Sequence, residues 1–215
     1  MKAIFLFLAI FAITSLSAQT KITYGLFKKS DGAKIKGASK IRGFEDQVEI
    51  YSYTGGSDNT ATIEITIPTG TYVTEFRNLM NTAAAANQSA AINKTTVANK
   101  SVAAPATTIK QDINIKASPN LKQLQTQQPT LARAEISVTE TKTPNYSYRI
   151  MSKIVLEDVK VESCTDDAAS GKTKIKLKAA RIGWVYYSYE SVTGKQNGSS
   201  QSGWNTVTGT AWNNF

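Results

Sequence analysis

Apolar and polar residues alternate with a period of two over several stretches of this chain, as in a strand with one face buried and the other wet. Over residues 47–53, Val48 and Ile50 fall on one face and Glu49, Tyr51 and Tyr53 on the other. Over 61–67, Ile63, Ile65 and Ile67 oppose Thr62, Glu64 and Thr66. Over 132–139, Ala134, Ile136 and Val138 oppose Arg133, Glu135 and Ser137. Lys174, Lys176 and Lys178 interleave with Ile175, Leu177 and Ala179, and the alternation slips by one at Ala179-Ala180 before Ile182, Trp184 and Tyr186 continue it. Such a slip predicts a bulge, or a strand covered on both faces in its second half. Residues 148–161 read as a further long strand.

Helix signals are few. Ser118-Pro119 is a good start, because serine caps free backbone N–H groups and proline suits the first helical position. Leu121 and Leu124 then share a face, which predicts a short helix over 119–127, stopped by Pro129. A weaker candidate starts at Val73, with Phe76, Leu79, Met80 and Ala83 on one side. The pattern therefore predicts a mainly-β fold with one short flanking helix.

Two segments stand apart from that fold. Residues 1–18 carry Lys2, an unbroken apolar run from Ala3 to Ile13 and a small-residue end at Ala18. This is the layout of a signal peptide cut before Gln19, and the run falls short of the roughly 20 residues a membrane-spanning helix needs. A secreted or periplasmic location is the expectation, with no membrane span in the mature protein. Residues 81–108 are rich in alanine, hold no aromatic residue and place asparagine at 81, 87, 93 and 99. So little apolar surface cannot easily offset ordering entropy. The expected organisation is a signal peptide, 1–18, then a single domain, 19–215, with a low-complexity insertion at about 77–108.

Composition narrows the chemistry. The 215 residues carry a formal charge of +9 and include no histidine and one cysteine, Cys164. Without histidine, Ser-His-Asp and Cys-His catalysis are excluded, and one cysteine makes no internal disulfide. Basic residues crowd positions 21–42, yet no nucleic-acid-binding signature accompanies them, so a solvated loop is the simpler reading and no nucleic-acid partner is expected. Ser170-Gly171-Lys172-Thr173 imitates the end of a phosphate-binding loop, but Asp166 stands where that motif needs glycine and both flanks read as strands, so a hairpin turn is preferred. Asp166, Asp167 and Glu162 could offer oxygens to calcium, though their spacing is not that of an EF-hand. The aromatics Trp184, Tyr186, Tyr187 and Tyr189 could stack bases or sugars; strand core and subunit interface explain them more simply. No catalytic, metal-binding or cofactor-binding residue is assigned.

Several segments resemble the Hcp family, the tube proteins of type VI secretion. Lys116 to Leu121 is similar to the family's helix entry, and Ile154 to Ser163 to its long LEDV-containing strand. Lys174 to Tyr187 resembles a strand ending in an aromatic W-x-Y pattern, and Ser202-Gly203-Trp204-Asn205 a Gly-Gly-Trp segment near the family's end. Near the front, Ile35 to Ser39 and then Val48 to Gly55 resemble two more family segments. The resemblance implies two antiparallel sheets closed into a barrel with one short helix beside it, and copies that assemble into hexameric rings. It implies a structural protein rather than an enzyme, with a homo-oligomer and a cargo or effector held in the ring as partners. The sequence departs from the family in its leader and in the Ala/Asn-rich insertion. On this reading Tyr51, Tyr53, Leu121, Leu124, Val159, Trp184, Tyr186 and Trp204 are the candidate core or subunit-interface residues. The alternative is a secreted monomeric module on the same fold, binding a surface or glycan partner.

Overall fold

A computed structural model describes residues 21–57, 60–82, 131–142 and 147–215. Its strands, in chain order, are β1 (Lys21–Lys29), β2 (Lys34–Ile35), β3 (Val48–Ile50), β4 (Ser52–Gly55), β5 (Thr62–Pro68), β6 (Leu131–Lys142), β7 (Ser147–Asp167), β8 (Lys172–Tyr189), β9 (Gln196–Asn205) and β10 (Thr210–Ala211). One helix, α1 (residues 73–82), follows β5. All strand pairings are antiparallel and join into one ten-stranded sheet. The expected mainly-β, Hcp-like architecture with a flanking helix is what the chain adopts. The predicted helix over 119–127, with Leu121 and Leu124, lies outside the described residues; the helix seen is the weaker candidate that starts at Val73.

The order β2-β1-β6-β7-β8-β9-β10 forms the main path. A second layer folds back over it. The first half of β8 pairs with β5 and β5 with β4, while β3 pairs with β1 at the far side. Only Tyr51 separates β3 from β4, and its N–H donates to the Thr66 carbonyl at 2.8 Å. Strand partners therefore run round the circuit β1-β6-β7-β8-β5-β4. β3 then pairs with β1, while the step from β4 to β3 is made by chain continuity at Tyr51 and not by a ladder, so the sheet does not close there.

The enclosed space is filled by the apolar sides of the alternating strands. Ile63, Ile65 and Ile67 of β5, Ile175 and Leu177 of β8, Leu156 and Val159 of β7, Ile136 of β6 and Phe27 of β1 are all fully buried. Helix α1 closes one end: Val73, Phe76 and Leu79 recur at helical spacing and pack into the same core. Phe76 meets Phe27 edge-to-face, with ring centroids 5.0 Å apart. The start of the expected insertion is thus helical to residue 82 and reaches the core through Leu79 and Met80.

Two expectations about register change. The alternation predicts Tyr51 and Tyr53 on one polar face. Tyr53 instead pairs with buried Ile65 and packs against the core, while Tyr51 is exposed. The reason is the change of partner at Tyr51, which costs one residue of parity. The slip at Ala179-Ala180 is also explained. Glu157 pairs with Arg181 and Val159 with Ala179, and between them Asp158 takes a φ of 53°, so β7 and β8 change parity together. Just beyond that point β8 is covered on both faces, at Ile182 and Gly183, before it opens to solvent at Tyr186.

Candidate functional site: strand faces and the β8–β9 edge

Of the residues expected in core or interface, Val159 is fully buried. Trp184, Trp204 and Tyr53 are partly buried and lean on the core. Trp184 stands beside Ile154 of β7 and Ser202 of β9, and its indole N–H donates to the Gly56 carbonyl. Trp204 pairs with Ile182. Tyr186, two residues beyond Trp184 on the same face, is 56% exposed between Ser152 and Ser200. Burial first, and then the nearby Tyr186 phenol, push the Tyr53 hydroxyl above its ordinary pKa. Tyr53, Trp184 and Tyr186 therefore gather where the core tapers into solvent, and Tyr51 sits apart, under the Lys172 ammonium at 5.3 Å.

Sequence reasoning missed a C-terminal clasp. Residues after β10 turn onto the face of the sheet opposite the barrel core. Trp212 is buried, its N–H donates to the Gly203 carbonyl at 2.9 Å, and its ring meets Phe215 with centroids 4.7 Å apart. The Arg181 guanidinium lies over the Trp212 ring at 5.5 Å. Phe215 seats on two glycines: a Cβ at Gly183 would come within 2.6 Å of its ring, and one at Gly203 within 2.8 Å. Isolated aromatics in a Thr/Asn-rich end were the only signal, and period-two patterning does not read them.

Beside the clasp, β9 has a free stretch of edge. It pairs with β8 along its length, but β10 covers only Asn205 and Trp204. No described strand pairs with the outer side of residues 196–202. The sequence there, Gln196 to Ser202, is polar, which is how an edge avoids indiscriminate pairing.

The same outer face carries a network of ion pairs across β6, β7 and β8. Arg133 bridges Glu135 at 2.8 Å and Glu157 at 3.0 Å, Lys153 reaches Glu135 at 2.8 Å, and Arg181 contacts Glu157 at 3.2 Å and Asp158 at 2.6 Å. Burial alone would raise the Glu135 pKa, but hydrogen bonds from Lys153 and Arg133 outweigh it and hold the carboxyl below its ordinary value. Pairs this well placed fix register more than they add stability.

The near-misses have structural roles. Residues 168–171 form the β7–β8 hairpin turn, with Gly171 at a φ of 63°. Asp167 accepts from the Ala169 and Ser170 N–H groups and from the Ser170 hydroxyl. Asp166 accepts from Thr173 and from Arg77 of α1, so it ties the helix to the sheet. Burial raises the Cys164 thiol pKa and leaves it a poor nucleophile. Among the described residues no group of His, Cys, Asp and Glu is placed to hold a metal ion, and no helix is long and apolar enough to cross a membrane.

No protein-family model matches the sequence, and no curated protein does. Solved structures do. A type six secretion system protein aligns at a TM-score of 0.57 with 12% identity, covering 90% of this chain and 100% of its own. Hcp1 from Salmonella typhimurium aligns at 0.50 with 12% identity, covering 89% and 99%, and Hcp2 from the same organism at 0.50 with 9% identity, covering 86% and 94%. The chain has the fold of the Hcp proteins of type VI secretion.

Proposed function

We propose that this chain is an Hcp-like structural protein whose copies assemble into a ring of about six subunits, exported after removal of residues 1–18. The observation that carries the reading is the length of the structural match: type VI secretion chains, two of them Hcp proteins, align over 94–100% of their own length with 86–90% of this one. Two features of the surface support it. The stretch of β9 that no described strand covers offers an edge to a neighbouring copy, and Tyr186, with the half-buried Trp184 and Tyr53 beside it, offers aromatic area of the kind that anchors interfaces. The function is assembly rather than catalysis, and a cargo or effector in the ring is the partner this reading implies.

The test is the mass of the purified mature protein by light scattering, with negative-stain images of the same sample. Closed rings with about six times the monomer mass are the expected result. A strict monomer at micromolar concentration overturns the assembly reading and favours a secreted binding module on the same fold.

A further inference from the structure

β8 carries four lysines, Lys172, Lys174, Lys176 and Lys178, that alternate with the buried residues Thr173, Ile175, Leu177 and Ala179. All four are exposed. Residues two apart on a strand are separated by about 6.7 Å, so these ammonium groups form a straight ridge roughly 20 Å long. Lysines on a strand often protect a free sheet edge. That explanation fails here, because this half of β8 is paired on both sides, with β5 through residues 62–68 and with β7 through residues 159–167.

The neighbours offset only part of the charge. On β5, Thr62 and Thr66 stand opposite Lys178 and Lys174, and only Glu64, opposite Lys176, is acidic. On β7, Lys160 stands directly opposite Lys178, a like-charge pair that costs stability. Glu162 pairs with Lys176 at 3.1 Å and reaches Lys178 at 3.9 Å. Asp167, opposite Lys172, is already engaged by the hairpin turn. Five lysines thus share one face with three carboxylates, on a central strand where packing asks for none of them.

We propose that this ridge docks a linear anionic polysaccharide, each lysine meeting a successive carboxylate or sulfate while Thr62, Thr66 and Thr165 present hydroxyls to the sugar ring edges. Charge complementarity selects a polyanion. The uncharged residues select its kind. Binding of single-stranded nucleic acid relies on aromatic side chains on which successive bases stack; here the uncharged residues opposite the lysines are threonine, serine and proline, and an aromatic ring, Tyr51, stands only at the end of the ridge beside Lys172. The inference is independent of ring formation, since the ridge lies on one subunit.

Heparin is the probe, with poly-dT and neutral dextran in parallel, and its Kd for the purified chain is measured across salt concentrations. Changing Lys172, Lys174, Lys176 and Lys178 together to glutamine leaves the core untouched and removes exposed charge, with it the pairs to Glu162 and the Lys172–Tyr51 contact. The heparin Kd rises about tenfold or more at low salt, and the slope of log K against log salt falls by about 3, at roughly 0.7 per lost contact on a flexible polyanion. The half variants Lys172→Gln/Lys174→Gln and Lys176→Gln/Lys178→Gln each lose about half of that slope, which keeps the test decisive should the fourfold variant fold poorly. The proposal is overturned if Lys28, Lys34, Lys36 and Lys40 changed to glutamine lower binding as much. It is overturned equally if poly-dT binds more tightly than heparin, or if heparin binding is absent or independent of salt.

Discussion

Phe76→Ala tests the central packing claim, that α1 is a structural wall of the core and not the loose start of an insertion. Phe76 is fully buried, as is Phe27, whose ring it meets at 5.0 Å and 84°. Truncating a buried phenylalanine in a site that cannot collapse costs about 3–5 kcal/mol. Here collapse is restricted, because the strands around the site are locked by their ladders and α1 is tied down by the Arg77–Asp166 ion pair and the Lys29–Glu75 pair at 3.3 Å. Of the total, about 0.5–1.5 kcal/mol belongs to the edge-to-face contact. Phe27→Leu alone, Phe76→Leu alone and the double variant isolate that share as a coupling energy. The assay is urea denaturation at fixed protein concentration. With a slope of about 1–3 kcal/mol per molar, Phe76→Ala shifts the midpoint down by roughly 2 M. A loss below about 1 kcal/mol, or additive single variants, would show that α1 does not close the core.

Two further predictions rest on the outer face. Gly183→Ala drives a methyl group into the Phe215 ring and costs about 1–3 kcal/mol; in a Phe215→Ala background the same change costs under about 1 kcal/mol, and an unchanged penalty would mean the clasp is not seated on Gly183. Glu135 has a folded-state pKa below its ordinary 4.5, so its contribution is fully present above that value and is lost as pH falls through it toward the folded-state value. Glu135→Gln therefore flattens the acid side of the stability profile, read from urea midpoints between about pH 6 and pH 3; a variant with the parent's acid slope refutes the assignment.

How much of this was legible depends on what each pattern encodes. Period two separates inside from outside along one strand, so Ile63, Ile65 and Ile67 of β5 and Ile175 and Leu177 of β8 could be assigned to the core from sequence alone. It does not say where a strand changes partner. The alternation put Tyr53 on the polar face with Tyr51 because the chain swaps β1 for β5 at Tyr51, and nothing in the residues 47–53 marks that exchange. The parity slip at Ala179-Ala180 was visible, but its counterpart at Asp158 was not, because positive φ in a non-glycine residue leaves no composition signal. α1 was the weaker of two candidates because it lacks a strong cap and runs into alanine; the tertiary contacts of Phe76 with Phe27 override that weakness.

The surface shows the same limit from the other side. The four lysines of β8 were plain in the sequence, yet on an edge strand they would be ordinary protection against pairing. Their meaning changes only with the register, which sets β5 on one side, β7 on the other and Lys160 against Lys178. The β9 edge is the reverse case: its residues look like a soluble loop, and the topology makes them a strand whose outer backbone groups go unpaired over residues 196–202 among the described elements. One sheet thus separates two tasks. On these two proposals the polar β9 margin is where a second copy can add a strand without disturbing the core, and the lysine ridge, on the half of β8 that β5 and β7 pair on both sides, can bind an anionic chain without competing for that margin. If assembly and polyanion binding do use these separate surfaces, ridge variants that lose heparin will still form rings, and β9-edge variants that lose rings will still bind heparin.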